Sequence, residues 1–393
     1  MAVPDLDRLL AEGVRGRRVF VRADLNVPLA GGAITDDTRV RASLPTLTRL
    51  LDAGARVAVA SHLGRPKGER KPALSLRPLA PRLSELLGIG VSFAEDCVGD
   101  AVTDAVDELG DGQLLLLENL RFHAGETKND PEFAAALAVP FDDYVNDAFG
   151  TAHRAHASTA GIVPRVKRAV AGDLLKGELE NLWVVKQPER PLLALVGGAK
   201  VSSKLGVLEA LGRHADVLCV GGAMAYTFMR AQGLPVGDSL IEADHLADAE
   251  RVVKSAEAAG RRVLLPVDHL VAQSIEEGAA TRVVGEIPDG WMGVDIGPET
   301  ARLYAREAEA ARTIFWNGPM GVFEVPDFSR GTRAVAEAVA GSAATTVVGG
   351  GDSLAAVNEM GVGERITHLS TGGGASLEYI QGLELPGVAA LDR

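Results

Sequence analysis

The sequence predicts an α/β protein built from two doubly wound parallel-sheet domains, on three observations. Apolar runs of strand length alternate with helix-period segments from one end of the chain to the other, the pattern of strands joined by crossover helices. The runs are continuous rather than alternating, as expected of strands buried on both faces of a parallel sheet. The chain, at 393 residues, is also longer than the roughly 250–300 at which a single core stops growing.

Taken in order, first-half strands are expected at 17–22 (RRVFVR), 56–62 (RVAVASH), 113–119 (QLLLLEN) and 142–148 (DDYVNDA). A helix is expected over 37–53, where Asp36 or Asp37 can cap the N-terminus. Residues 170–190 carry one amphipathic helix ended by Pro188 and Pro191, with no strand of its own, which suits a bridge between domains. The second-half runs are PLLALVGG, DVLCVGG, RRVLLPV, RTIFWNGP, TTVVGGG and ITHLSTGGG. Residues 376–393 either continue the second domain or fold back on the first.

Composition is that of a soluble globular protein, 47% hydrophobic and 24% charged. No run approaches the roughly 18 apolar residues of a membrane span, and the N-terminus carries early acids without the apolar core of a secretory signal. A net charge of −13 argues against nucleic acid and anionic membranes as partners. Two cysteines, Cys97 and Cys219, are too few and too isolated for a disulfide framework or a cysteine-based metal site, so a reducing cytoplasm is expected. Cys97 lies in AEDCVGD, where neighbouring acids raise a thiol pKa rather than activate it.

Ligands of open α/β sheets bind beyond the carboxyl ends of the strands. Four second-half strands end in glycines there: Gly197-Gly198, Gly221-Gly222, Gly349-Gly350-Gly351 and Gly372-Gly373-Gly374. One such turn is commonly steric, but four at one edge suggest a nucleotide or other polyphosphate approached by backbone amides. Neither G-x-x-x-x-G-K-[ST] nor G-x-G-x-x-G occurs, which disfavours a P-loop enzyme and a dinucleotide-dependent dehydrogenase. In LLALVGGAKVSSKLGVLEAL (192–211), Lys200 and Lys204 stand four apart and would share one helix face, with an anion between them.

Charge replaces glycine in the first half. Asp24 and Asn26 follow the first strand, Arg39 opens the next helix, and His62 and Arg65 follow the second strand. Arg121 and Arg154 lie past two further strands. A lone arginine at such a place is usually solvated, but several delivered to one edge make a basic bowl for a small polyanion. His153 and His156 resemble half of a zinc motif, yet their i, i+3 spacing lacks the accompanying glutamate, so a structural or substrate role is expected instead of metal. There is no G-x-S-x-G elbow for a serine nucleophile.

VRADLNVP, SHLGRPKG, ENLRFHAGE, VNDAFGTAHRAHAS, GGAKVSSK, GWMGVDIGP, FWNGPMGVFE, GGGDS and STGGGASLEY closely resemble phosphoglycerate kinase, in that family's order and across roughly residues 17–388. The one departure is Ala223, where many relatives carry a third glycine. The resemblance implies two doubly wound Rossmann-like parallel-sheet domains joined by a helical hinge. Their bounds would be 1–171 for phosphoglycerate binding, 172–187 for the interdomain helix, 188–375 for nucleotide binding, and 376–393 for a tail packing back on the first domain. It implies reversible, direct in-line phosphoryl transfer from 1,3-bisphosphoglycerate to MgADP, giving 3-phosphoglycerate and MgATP, by a cytoplasmic monomer that closes about its hinge.

Under the same resemblance Asp24, Asn26, Arg39, His62, Leu63, Gly64, Arg65, Arg121 and Arg154 hold the phosphoglycerate. Lys204, Gly222, Gly293, Asn317, Glu324, Gly350, Gly351, Asp352 and Ser353 hold the nucleotide, with Asp352 as the Mg²⁺ ligand. Arg39, Lys200, Lys204, Gly351 and Gly373 serve the transfer itself. Such a transfer needs no general base, because both reacting oxygens are already anionic; positioning and charge neutralisation suffice. A dehydrogenase would share the fold but lacks its glycine fingerprint here. A two-lobed solute-binding protein usually carries an export signal, which is absent.

Overall fold

The long apolar runs form the central strands of two separate parallel sheets. In the computed structural model, which describes residues 3–392, contacts divide the chain into two units: residues up to Leu179 together with those from Glu384 onward, and Glu180–Leu383. The first unit contains β1 (Arg18–Ala23), β2 (Leu29–Ala30), β3 (Ala33–Ile34), β4 (Arg56–Ala60), β5 (Val91–Phe93), β6 (Leu114–Leu116), β7 (Asp143–Asp147) and β8 (Arg168–Ala171). Its main sheet runs β5-β6-β4-β1-β7-β8, every pair parallel.

Both faces of this sheet are covered, which is why its strands read as unbroken apolar runs. Val19 and Val21 of β1 join Val57, Val59 and Leu116 under Leu47 and Leu50 of the helix Thr38–Asp52. The intervening Phe20 stacks on Tyr144 and meets Phe141 edge-on. Asp36 supplies the expected contact at the start of that helix, its carboxylate accepting from Thr38 N at 2.8 Å, while Asp37 pairs with Arg41 and Arg82.

The second unit contains β9 (Leu192–Val196), β10 (Val217–Val220), β11 (Arg262–Leu264), β12 (His269–Ala272), β13 (Thr281–Val284), β14 (Met292–Ile296), β15 (Thr313–Asn317), β16 (Thr345–Gly349) and β17 (His368–Ser370). The main sheet runs β11-β10-β9-β15-β16-β17, again wholly parallel. Its order reverses between β9 and β15, the doubly wound arrangement whose switch point opens a crevice. An antiparallel sheet β13-β12-β14, not anticipated from the sequence, is inserted between β11 and β15; β13 is mostly exposed and carries no apolar run. The short β5 and β8 escaped notice for a similar reason, being only partly buried.

The helix expected within 170–190 spans Asp173–Lys186, and the division between units falls inside it. Its first turn is held by Asp147, whose Oδ1 accepts from Leu174 N at 2.9 Å, and by the Arg49–Asp173 ion pair at 2.6 Å. The tail joins the first unit from 384, not from 376. Residues up to 381 form the helix Gly374–Gln381, which packs on the helix Leu205–His214 so closely that a side chain at Gly206 would strike Gln381. Beyond it, Gly387 N donates to Ala152 O at 2.8 Å and Asn146 Nδ2 donates to Gly387 O at 3.1 Å.

His269 on β12 is wholly buried beside the Tyr226 ring, and neither ring nitrogen has a hydrogen-bond partner. Burial therefore lowers its pKa to about 4. As pH falls below about 6.5 the unfolded chain binds this proton and the folded chain does not, so stability drops until the folded pKa is reached. Between about pH 7.5 and 4.5 the wild type should lose about 2–3 kcal/mol more stability than His269→Leu, read from unfolding curves across pH. Parallel curves for the two proteins would show that the imidazole is hydrated or paired.

Candidate functional site

A parallel sheet releases all its strands at one edge, and the expected site residues stand in the loops at those two edges. In the first unit Arg39 Nη1 donates to Asp24 Oδ2 at 2.5 Å, and Asn26 Oδ1 accepts from Gly64 N at 2.8 Å. Gly64 has φ 61°, and a Cβ there would press on Leu74; its carbonyl accepts from Arg121 Nη1 at 3.0 Å. Leu63 is buried, its carbonyl bound by Asn119 Nδ2 at 2.8 Å.

His62 is buried, and burial together with the charges of Arg22, Arg121 and Arg39 drives its pKa far below the usual imidazole value. Arg22 Nη2 lies 3.2 Å from His62 Nδ1; a guanidinium only donates, so the ring proton sits on Nε2. Arg121 is partly buried with its Nε unpartnered, and desolvation plus repulsion by Arg22 lowers its pKa to about 10. Arg154 is exposed and donates from Nε to His153 Nε2 at 3.0 Å. Asp24, Arg39, His62, Arg121 and Arg154 thus share one electrostatic neighbourhood. Arg65 is exposed and makes no ion pair with them among the described residues.

Sequence reasoning missed Arg22, an arginine inside the apolar run VFVRAD. It is fully buried in β1, and its Nε donates to Ser158 Oγ at 2.8 Å, which in turn donates to the buried Glu126 at 2.6 Å. A charged residue interrupting a strand core was the available signal. His156 is buried nearby with its pKa lowered to about 4 by burial and then by Arg121. Neither His153 nor His156 joins a cluster of metal-ligating side chains among the described residues.

At the second edge, taken across the sheet, β10, β9, β15, β16 and β17 lead into Gly221-Gly222, Gly197-Gly198, Gly318, Gly350-Gly351 and Gly372-Gly373. Lys204 Nζ inserts between two of these strand ends, donating to Gly197 O at 2.7 Å and Asn317 O at 3.1 Å. Desolvation lowers its pKa to about 8, against the opposing charge of Asp352. Gly222 (φ 67°) approaches Gly198 so closely that a Cβ would lie 2.5 Å from its backbone N and O.

The expected shared helix face of Lys200 and Lys204 does not form. The helix begins at Leu205, with Lys204 at its N-cap and Lys200 exposed in the preceding turn. Cations are disfavoured in a first helical turn, and the turn has its own ties: Ser202 N donates to Glu242 at 3.0 Å and Ser203 Oγ to Lys200 O at 2.8 Å.

Asn317 is buried; Nδ2 donates to Gly349 O at 2.6 Å while Oδ1 has no partner. Ser353 Oγ accepts from Gly318 N at 2.5 Å and donates to Gly349 O at 3.0 Å. Gly350 (φ 100°) turns the chain into the helix Gly351–Glu359, placing the exposed Asp352 in its first turn. Gly373 (φ 54°) caps the helix Gly374–Gln381, and Glu324 is exposed. Gly293 in β14 donates to Ser239 Oγ at 2.9 Å and backs directly onto Tyr226, which leaves no room for a side chain.

The phosphoglycerate kinase family model matches residues 9–383. A phosphoglycerate kinase of Rubrobacter xylanophilus is 59% identical over 381 residues, covering 96% of each chain, and a wheat protein named cytosolic phosphoglycerate kinase is 52% identical over 386. The solved phosphoglycerate kinase of Coxiella burnetii superposes with a TM-score of 0.91 at 41% identity, covering 100% of this chain and 99% of its own. That of Pyrococcus horikoshii gives 0.85 at 34%, covering 98% of each. The chain belongs to the phosphoglycerate kinase family. Every residue named at the two edges, from Arg22 to Gly373, falls inside the family match. The family is one of kinases whose phosphoryl acceptor is a carboxyl group, and no helix among the described residues is long and apolar enough to cross a membrane.

The glycines differ in what they tolerate. Gly222→Ala, strained in φ and blocked by Gly198, should cost about 1–3 kcal/mol of stability. Gly351→Ala, with no atom within 4 Å of its Cβ, should change stability by less than about 0.5 kcal/mol or raise it. Thermal unfolding of both variants checks this, and equal shifts would refute the close approach at Gly222.

Proposed function

We propose that the chain, a cytoplasmic monomer, reversibly transfers a phosphoryl group from 1,3-bisphosphoglycerate to MgADP, giving 3-phosphoglycerate and MgATP. The phosphoglycerate sits at the first unit's sheet edge and the nucleotide at the second's. The contrast between those edges carries this reading: one offers side-chain cations with few counterions, the other offers glycine turns around one buried ammonium and the unpartnered Asn317 Oδ1. Both cysteines are free and buried, in keeping with a reducing compartment.

Arg121, Arg154, Arg65 and the Nε2–H of His62 neutralise and orient the phosphoglycerate anion, with Asp24, Asn26, Leu63 and Gly64 shaping the loops that hold them. The amides at Gly222, Gly350 and Gly351 approach the nucleotide, Gly293 lies against the Tyr226 ring beside them, and Asn317 Oδ1 and Glu324 offer acceptors. Ser353 fixes the turn from beneath by tying Gly318 to Gly349. Magnesium arrives with the nucleotide and offsets phosphate charge. Asp352 suits it, being an exposed carboxylate with no ion pair among the described residues, and Mg²⁺ takes one or two carboxylates beside phosphate and water.

The transferring group spreads negative charge over its equatorial oxygens in a loose transition state. Lys200, exposed and unattached to the sheet, travels with that group, while Lys204 steadies the nucleotide phosphates. Arg39 meets the group from the phosphoglycerate side, and the amides at Gly373 and the start of the following helix add donors. No residue needs to remove a proton, because both oxygens that exchange the phosphorus are already anionic.

Formation of ATP from 1,3-bisphosphoglycerate and ADP tests the reading directly, and its absence would overturn it. Lys200→Ala should lower kcat by two to three decades, about 3–4 kcal/mol, with much smaller loss of ADP affinity. Retention of more than half the wild-type kcat would remove Lys200 from the transfer. Arg121→Ala should weaken 3-phosphoglycerate binding by about 1.5–3 kcal/mol in calorimetric titration and leave ADP binding near wild type. Equal losses for both ligands would mean the two sites are wrongly assigned.

A further inference from the structure

We propose that Asp96, Cys97 and His123 form a site for a single zinc-class divalent cation, in the first unit and chemically distinct from the magnesium that accompanies the nucleotide. A carboxylate oxygen, a thiol sulfur and an imidazole nitrogen from these residues all lie within 4.8 Å of one another. The residues follow adjacent parallel strands: Asp96 and Cys97 lie just beyond β5, and His123 beyond β6.

Their present contacts are those of ligands holding protons. His123 Nε2 lies 2.7 Å from Asp96 Oδ1, and the Cys97 sulfur lies within 4.8 Å of both residues' ligand atoms. Neighbouring groups fix the orientation of the donors. Phe133 stacks on the His123 ring at 5.0 Å, and Cys97 N donates to Asp96 Oδ1 at 2.7 Å. Cys97 is 2% exposed, whereas the Asp96 and His123 side chains are 41% and 32% exposed, so an ion enters from the solvent side and keeps a fourth position for water.

Binding forms metal–sulfur, metal–nitrogen and metal–oxygen bonds and releases the Cys97 thiol proton to water; the proton that His123 Nε2 holds toward Asp96 passes to solvent, and Nδ1 carries the imidazole proton in the complex. The Asp96–His123 contact opens from 2.7 Å to about 3.3 Å, the separation set by tetrahedral ligands at zinc distances. Arg70, 3.6 Å from Asp96 and half exposed, swings away. Thiolate and imidazole select zinc-like ions over Mg²⁺. One thiolate is enough where histidine and aspartate complete the set, which the isolation of Cys97 in the sequence concealed. An ion here staples the loop after β5 to the segment that carries Arg121, two residues before His123.

Cobalt reports the site without reference to activity. Titration of the full chain with Co²⁺ should produce a thiolate-to-metal charge-transfer band in the near ultraviolet. Zn²⁺ should abolish the band, and excess Mg²⁺ should not. Cys219→Ser should keep it and Cys97→Ser should lose it, with circular dichroism confirming the fold of each. Asp96→Asn, at a partly exposed position, should keep the fold and weaken Co²⁺ at least tenfold. No band in the wild type, a band that survives Cys97→Ser, or unchanged affinity in Asp96→Asn would each overturn the proposal.

Discussion

Each site depends on strands running the same way. In a parallel sheet every strand delivers its chain to the same edge, so residues far apart in sequence meet there without any loop travelling far. Asp24 after β1, His62 after β4 and Arg121 after β6 become neighbours in this way, as do Gly198 after β9 and Gly318 after β15. The helices on the sheet faces bury what the strands leave apolar and bring each chain back to start again. Reversal of one strand in either sheet would send its terminal residues to the opposite edge and dismantle the site.

The two edges then solve different electrostatic problems. At the first, Arg22, Arg39, Arg121 and Arg154 crowd together with only Asp24 directly paired, and Glu126 answers Arg22 through the Ser158 hydroxyl. Neutral His62 and His156 keep the density of charge from rising further, and the lowered pKa of Arg121 shows how much burial and repulsion remain. At the second edge the difficulty is spatial. Gly197 and Gly318 let two strand ends close around the Lys204 ammonium, Gly222 lets a third pack on Gly198, and a methyl group on any of these glycines would collide with backbone. Charge is scarce there and backbone is dense.

Most of this was legible in the chain because burial on both faces leaves an unmistakable signature. The ten runs all form strands, and their terminal glycines and charges mark the edges in the sequence itself. What escaped was whatever burial does not dictate. β5 and β8 are short, and the antiparallel sheet, whose β13 is exposed, is an insertion with no periodic pattern. The start of the helix at Leu205 was misplaced because spacing alone cannot register the dipole that pushes Lys200 and Lys204 out of the first turn, nor the distant Glu242 that holds Ser202. Arg22 announced itself only as a charge inside an apolar run, and its link to Glu126 was hidden because the hydroxyl joining them comes from residue 158.

The passage of the tail back to the first unit gives the molecule a history as well as a shape. Residues 180–383 form their unit from one uninterrupted stretch, whereas the first unit closes only with Leu385, Val388 and Leu391 buried against it and Gly387 bonded to Ala152 and Asn146. A ribosome makes residue 179 long before residue 387, and domains generally fold as units while the chain emerges. The inner unit therefore has all its residues first. The outer one must wait, its sheet assembled but one patch of apolar surface uncovered, for as long as translation of the intervening two hundred residues takes, and it is during that interval that it is most in need of protection.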